Sequence, residues 1–206
     1  MISGVILAGG KGRRMGGIDK GLMRFHGRPL VAHVAERLQP QVDELVINAN
    51  QNLDQYAAMG YPLISDHIPC FVGPLAGLHA ALTTTRHDWV VTVPCDSPFL
   101  PTDLVARLHE GMQRANVRVA IAKTFDQIHP VFCLCQRTAL AHLSDFLVGG
   151  GRRFQQWIAT LDAVEVPFDE APEAFENLNT REDLARAEIS SSVLAIVDTR
   201  VKTKLT

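Results

Sequence analysis

Aromatic residues make up only 6% of the 206-residue chain, and cysteines number four. No hydrophobic run approaches the roughly 20 apolar residues that a membrane-spanning helix needs. The cysteines, Cys70, Cys95, Cys133 and Cys135, contain no Cys-x-x-Cys pair, so zinc-ligand spacing is absent. They read as buried free thiols in a reducing compartment. The first apolar run is short and ends in glycines, so no signal peptide is expected and the chain reads as cytoplasmic. Net charge is only −2, which excludes a global polyanion-binding character. Internal repeats, low-complexity tracts and a linker before residue 189 are all missing. So are a serine–histidine–acid triad and a paired-carboxylate motif, which points away from nucleophilic catalysis by a side chain.

Charge is nonetheless concentrated. Residues 1–37 hold seven Lys or Arg against Asp19 and Glu36, a local +5 on an otherwise acidic chain. Such a patch suits a small anionic ligand better than a long nucleic acid. Within it, the apolar stretch Val5-Ile6-Leu7 empties into a loop with five glycines (9, 10, 12, 16, 17) and the cations Lys11, Arg13, Arg14 and Lys20. Glycine permits close backbone approach to a ligand, and successive N–H groups beside cations form a phosphate cradle. The loop is not a P-loop, since neither Lys11 nor Lys20 is followed by Ser or Thr. Gly10, Gly12 and Gly16 are spaced one residue too far for the dinucleotide fingerprint. Four cations also exceed what one pyrophosphate bridge requires, so the loop reads as a nucleoside triphosphate site, with a glycine-rich β–α turn carrying surface cations as its ordinary alternative.

Strand-like and helix-like segments alternate through the first half. Strands are expected at 2–7, 44–48, 61–65 and 89–93, and helices at 29–38, 53–59, 74–85 and 101–115. The second half predicts strands at 117–123, 131–135 and 164–166 and helices at 136–147 and 152–161. Thr180 and Asp183 form a capping box for a last helix to about residue 188. This pattern predicts an α/β fold, a three-layer Rossmann-like sheet, mostly parallel but mixed in its second half, with helices on both faces. One domain is expected over 1–188, its first half binding nucleotide and its second half the other substrate. Residues 189–206 form a tail to which the pattern gives no role.

In such sheets ligands bind outside the carboxyl ends of the strands. The loops there carry Gly9–Lys20, Asn48-Ala49-Asn50, Asp66-His67 and Pro94-Cys95-Asp96-Ser97-Pro98. Asp96, at a strand end between two prolines, is the leading metal ligand, because Mg²⁺ prefers few carboxylates with phosphate oxygens and water; a turn hydrogen bond before Pro98 is its ordinary alternative. Asp66 can accept from guanine N1–H and its amino group, and Asn48 or Asn50 can read a base edge or ribose. Either could equally serve turn chemistry. Gly73-Pro74-Leu75-Ala76-Gly77 opens a helix and either packs a base or simply connects strand to helix. Further along, His129, the cationic loop Gly149-Gly150-Gly151-Arg152-Arg153, and Asn177 with Asn179 are candidates for a second, anionic substrate, with loop turns and N-capping as their ordinary alternatives. These groups suit nucleotidyl transfer, in which an already anionic phosphate oxygen attacks an α-phosphorus and positioning and charge neutralisation do the catalysis.

Taken together, Leu7-Ala8-Gly9-Gly10-x-x-x-Arg14-Met15-Gly16-Gly17-x-Asp19-Lys20, Asn48-Ala49-Asn50, Gly73-Pro74-Leu75-Ala76-Gly77, Pro94-Cys95-Asp96 and Asn177-x-Asn179-Thr180 closely resemble the bacterial molybdenum cofactor guanylyltransferases, from about residue 3 to 188. The resemblance implies a nucleotide-diphospho-sugar transferase-like fold and transfer of GMP from GTP to the terminal phosphate of molybdopterin. It also implies that Leu7, Ala8, Gly9, Lys20, Asn48, Asp66 and Asp96 bind GTP, and that Asp96 holds Mg²⁺ or Mn²⁺. By the same resemblance Arg14 neutralises phosphate beside catalytic Lys20 and Asp96, and His129, Arg152, Arg153, Asn177 and Asn179 lie where the pterin is expected. Cofactor-insertion and molybdoenzyme-maturation proteins are the implied protein partners; no nucleic acid or membrane is expected. The competing readings are a cytidylyltransferase on the same cofactor, a sugar-phosphate nucleotidyltransferase, and a non-catalytic molybdopterin carrier or nucleotide sensor.

Overall fold

Successive side chains of a strand point to opposite faces, so an uninterrupted apolar run requires cover on both. The run at Val5 has it: Ile6 and Ala8 join one hydrophobic cluster, and Val5 and Leu7 join a second cluster across the sheet. The computed structural model describes residues 1–10, 19–67 and 73–189. The glycine loop's residues 11–18, Arg14 among them, lie outside the described residues, as do Cys70 and the tail from 190.

The strands are β1 (Ile2–Leu7), β2 (Arg24–Phe25), β3 (Arg28–Pro29), β4 (Glu44–Asn48), β5 (Leu63–Ile64), β6 (Trp89–Pro94), β7 (Val119–Thr124), β8 (Gln127–Gln136) and β9 (Ala163–Pro167). The helices are α1 (Leu30–Leu38), α2 (Leu53–Ala57), α3 (Pro74–Thr84), α4 (Leu104–Ala115), α5 (Leu140–Val148) and α6 (Phe154–Ile158), followed by α7 over 181–189. Seven strands form one sheet in the order β5-β4-β1-β6-β8-β7-β9. All its pairings are parallel except those of β8, which runs against both β6 and β7. Val31, Val34 and Leu38 of α1 and Leu104, Leu108 and Met112 of α4 cover one face. Leu75, Leu78 and Leu82 of α3, Leu143 of α5 and Trp157 of α6 cover the other. Among the described residues no helix is long and apolar enough to cross a membrane.

The three-layer mixed sheet is the one the sequence predicts, and several boundaries move for local reasons. α1 starts at Leu30, because Pro29 pairs with Arg24 in a small hairpin that the sequence reading does not contain. Its two turn residues, His26 and Gly27, both have positive φ, 46° and 76°. That is the type I′ geometry usually signalled by Asn-Gly, and histidine in the first place hides it. α4 starts at Leu104 rather than 101, and a 3₁₀ turn, Arg137–Ala139, precedes α5. β8 begins at Gln127, four residues early, so His129 and Pro130 lie within it. The β7–β8 register steps from Ile121↔Cys133 to Ala122↔His129, leaving Pro130, Val131 and Phe132 as a bulge. Pro130 cannot donate to a ladder, and a bulge is where a strand tolerates that.

The reversal of β8 matters for function. Its amino end, with His129, lies at the same rim as the carboxyl ends of β1, β4, β5 and β6. The capping box also forms as expected: Thr180 Oγ1 accepts from Asp183 N at 3.0 Å, and Asp183 Oδ2 accepts from Thr180 N at 2.9 Å. Leu178 and Leu184 then pack with Phe25 and Leu30, tying the end of the described chain to the hairpin near its beginning.

Candidate active site

β1 and β4 run side by side, with Leu7 opposite Asn48 and Ala8 N donating to Asn48 O at 2.8 Å. Leu7, Ala8 and Gly9 therefore leave the sheet beside the Asn48–Asn50 turn. Asp66, just past β5, accepts from both amides: Asn48 Nδ2 donates to Oδ1 at 3.0 Å and Asn50 Nδ2 to Oδ2 at 2.8 Å. The backbone N–H of Asp66 returns a bond to Asn50 Oδ1 at 2.9 Å. Each carboxylate oxygen keeps acceptor capacity beyond the amide it already holds. The orientation is fixed by space as well. A Cβ on Gly9 would lie 2.6 Å from Asn50 Nδ2, and one on Gly77 of α3 would lie 2.5 Å from Asn48 Oδ1. Both glycines admit the amides, which gives Gly73–Gly77 a packing role, and Gly73 itself takes φ 120° at the helix entry.

Asp96 follows β6 and is 6% exposed. Lys20 Nζ stands 3.5 Å from Asp96 Oδ2 and also donates to Asn179 Oδ1. Burial raises the Asp96 carboxyl above its ordinary range, and the Lys20 ammonium partly offsets this. Among the described residues Lys20 is the ionic partner of this buried carboxylate, which can accept further positive charge. Among the described residues no group of three or more His, Cys, Asp or Glu could hold a metal alone. One carboxylate nevertheless fits Mg²⁺, which commonly takes one or two carboxylates and completes its shell with phosphate oxygens and water. Asp96 O accepts from Leu178 N at 2.8 Å, and the fully buried Ser97 donates to Asn177 Oδ1 at 2.7 Å. The Asn177–Asn179 segment is thereby fastened to the strand end that carries Asp96.

Beside this segment opens a cavity of about 820 Å³, lined by Pro94, His129, Phe132, Phe175, Asn177 and Asn179 among others. His129 stacks on Phe175 with ring centroids 4.7 Å apart and bonds Thr124 Oγ1 at 2.7 Å. Burial lowers its pKa, which favours the neutral imidazole.

Of the residues singled out in the sequence, the structure thus gathers Leu7, Ala8, Gly9, Lys20, Asn48, Asp66 and Asp96 along one rim, with His129, Asn177 and Asn179 adjoining. It does not bring Arg152 or Arg153 to the cavity lining. Arg152 Nη1 donates to Leu147 O and Gly151 O, closing the end of α5, and Arg153 is exposed. Asn52 and Tyr56 are site neighbours that the sequence reading misses, and that reading places Ser97 on the rim without a partner. Their roles depend on partners 33 to 80 residues away, for which no local pattern exists.

This geometry has known counterparts. A family model described as the MobA-like NTP transferase domain matches residues 4–164. A molybdenum cofactor guanylyltransferase from Cupriavidus taiwanensis is 50% identical over 188 residues, covering 89% of this chain and 94% of that protein. Among solved structures, molybdopterin-guanine dinucleotide biosynthesis protein A from Archaeoglobus fulgidus superposes with a TM-score of 0.77 at 28% identity, over 93% of this chain and 99% of the other. A Mycobacterium tuberculosis protein solved with manganese shares the fold, with a TM-score of 0.65 at 16% identity over 90% and 96% of the two chains. The chain belongs to the MobA-like NTP transferase family and, within it, to the molybdenum cofactor guanylyltransferases, which are nucleotidyltransferases.

Proposed function

We propose that this chain transfers GMP from GTP to the terminal phosphate of molybdopterin. A phosphate oxygen of the pterin attacks the α-phosphorus of GTP, the bond from that phosphorus to the bridging oxygen breaks, and pyrophosphate leaves. The product is molybdopterin guanine dinucleotide. The observation that carries this reading is the Lys20–Asp96 pair, standing between the Asn48–Asp66–Asn50 clamp and the large cavity.

In this reading Asp66 accepts from guanine N1–H and its amino group, while Asn48 and Asn50 hold the carboxylate at its angle. Leu7, Ala8 and Gly9 pass close to the nucleotide, and Arg14, which lies outside the described residues, neutralises phosphate. Lys20 neutralises charge on the triphosphate. Asp96 would hold Mg²⁺, with Mn²⁺ as a substitute, and the ion when bound supplies further charge neutralisation at the phosphates. The attacking group is already anionic, so no strong general base is needed. The cavity beside Asn179 takes the pterin. Its flat apolar side, His129 on Phe175, suits a fused ring, and Asn177 and Asn179 offer amides to ring polar atoms. Arg152 and Arg153 have no part in this reading, because neither lines the cavity and Arg152 is used on carbonyls at the end of α5.

Pyrophosphate release measured with each of the four nucleoside triphosphates, with molybdopterin, a sugar phosphate or no acceptor and with Mg²⁺ or Mn²⁺, tests the reading. Release with GTP only when molybdopterin is present supports it. A preference for CTP, turnover with a sugar phosphate alone, or binding without release would replace it with the corresponding alternative.

A further inference from the structure

Asp19 immediately precedes Lys20, and its carboxylate is turned toward α2. Tyr56 OH donates to Oδ1 at 2.6 Å, and Asn52 Nδ2 donates to Oδ2 at 2.9 Å. Tyr56 is fully buried, and that burial, with Cys95 and Asp19 nearby, raises its hydroxyl far above the ordinary value, so it remains a donor at any working pH. Asn52 takes a left-handed φ of 52°, and its carbonyl accepts from Gln55 N and Tyr56 N, so both donors belong to one rigid turn. On the other side of Lys20, a Cβ on Gly21 would come within 2.5 Å of Tyr56 OH and 3.3 Å of Cys95 Sγ. Both chain neighbours of Lys20 are therefore locked against the same tyrosine.

We propose that Tyr56 and Asn52 are positioning residues for guanylyl transfer, acting through Asp19 to fix the backbone at Lys20 so that its ammonium meets the triphosphate beside Asp96. The inference rests on the phosphate-binding role of Lys20 given above. A lysine ammonium is a point charge on a flexible stem, and ordering such a side chain costs binding energy that a fixed Cα reduces. The two neutral donors also satisfy Asp19, leaving the Lys20 ammonium on Asp96 and Asn179.

The test uses the full chain and a double-mutant cycle. GTP affinity by calorimetry with Mg²⁺ and steady-state kinetics are compared for Tyr56→Phe, Lys20→Ala and the double variant. Tyr56→Phe keeps the buried ring and removes only the hydroxyl. It should weaken GTP binding by about 3- to 10-fold, the size of one lost hydrogen bond, with KM for molybdopterin unchanged. In the Lys20→Ala background the same change should move GTP affinity by less than about 2-fold, because coupled residues are not additive. Asn52→Gly permits the left-handed turn without touching the core and should reproduce the single-variant loss, so the test survives if Tyr56→Phe folds poorly. Unchanged GTP affinity in both Tyr56→Phe and Asn52→Gly, or an equal loss in both backgrounds, overturns the inference. If Lys20→Ala itself leaves GTP affinity unchanged, the phosphate role of Lys20 falls, and the inference falls with it by a different and recognisable route.

Discussion

Along one rim, the stretch around Asp66 and Asp96 and the stretch around His129 and Phe175 are held by different forces. The first is a web of amides, carboxylates and one lysine, with glycines placed where a Cβ would enter the web. The second is a roomy cavity in which ring stacking fixes His129 against Phe175, with Asn177 and Asn179 among the polar groups of its lining. A triphosphate is recognised by charge and a base edge by donors and acceptors, both of which demand preorganised polar groups. A flat heterocycle needs a surface more than a charge. On the proposed reading, the difference would separate the two substrates of one transfer by chemistry as well as by place, with the Asn177–Asn179 segment as the seam.

Four experiments would break or sharpen that contrast, beginning with the largest effect. Asp96→Asn should lower guanylyl transfer by about 100-fold or more, the scale of a lost charge-stabilising group. Because burial raises the Asp96 carboxyl, its contribution to stability is greatest below its unfolded value and declines as pH rises through the folded one. The variant should therefore melt no lower than the parent at neutral pH, as calorimetry can check; a large fall in Tm would show that Asp96 is structural.

Asp66→Asn should cost about 10- to 100-fold in kcat/KM for GTP, the range for hydrogen bonds to a charged acceptor, while leaving weak turnover of other triphosphates unaltered. An equal loss for all four bases would place Asp66 in the general scaffold of the site. His129→Ala should raise KM for molybdopterin about 3- to 10-fold through loss of a stacked ring, with GTP affinity the same as the parent's. A matching loss of GTP binding would mean that the two stretches are not separate.

The smallest effect belongs to the seam. Thr180→Ala removes a capping hydroxyl and should cost about 1 kcal/mol, or a Tm lower by about 2–4 °C. The Thr180 hydrogen bond is the leading reason that the Asp183 carboxyl lies below its ordinary range. Its contribution is present above the unfolded value and is lost as pH falls through the folded one. The destabilisation should therefore shrink in acid, and thermal melts from neutral to low pH would reveal it.

The sequence set out more of the polar stretch than of the cavity. Asn48, Asp66 and Asp96 each end an apolar strand, and the rule that ligands bind at carboxyl ends needed only those strands and their shared direction. His129 was visible as a residue but not as a rim residue, because that depended on β8 running backwards and starting at Gln127. Arg152 and Arg153 looked like part of the same site because cations beside glycines resemble a phosphate loop, yet Arg152 is used on carbonyls at the end of α5.

By itself, the order of apolar runs, glycines and strand-terminal polar residues determined a parallel-rich sheet with a nucleotide rim, since periodicity and turn chemistry are local properties of the chain. Tertiary structure alone decided that both oxygens of Asp66 would be gripped, that Asn179 and Asp96 would share Lys20, and that Tyr56 and Asn52 would take Asp19. Each of those contacts joins residues far apart in the chain. Their pairing follows from which strands become neighbours, and that is a property of the packed sheet rather than of any segment within it.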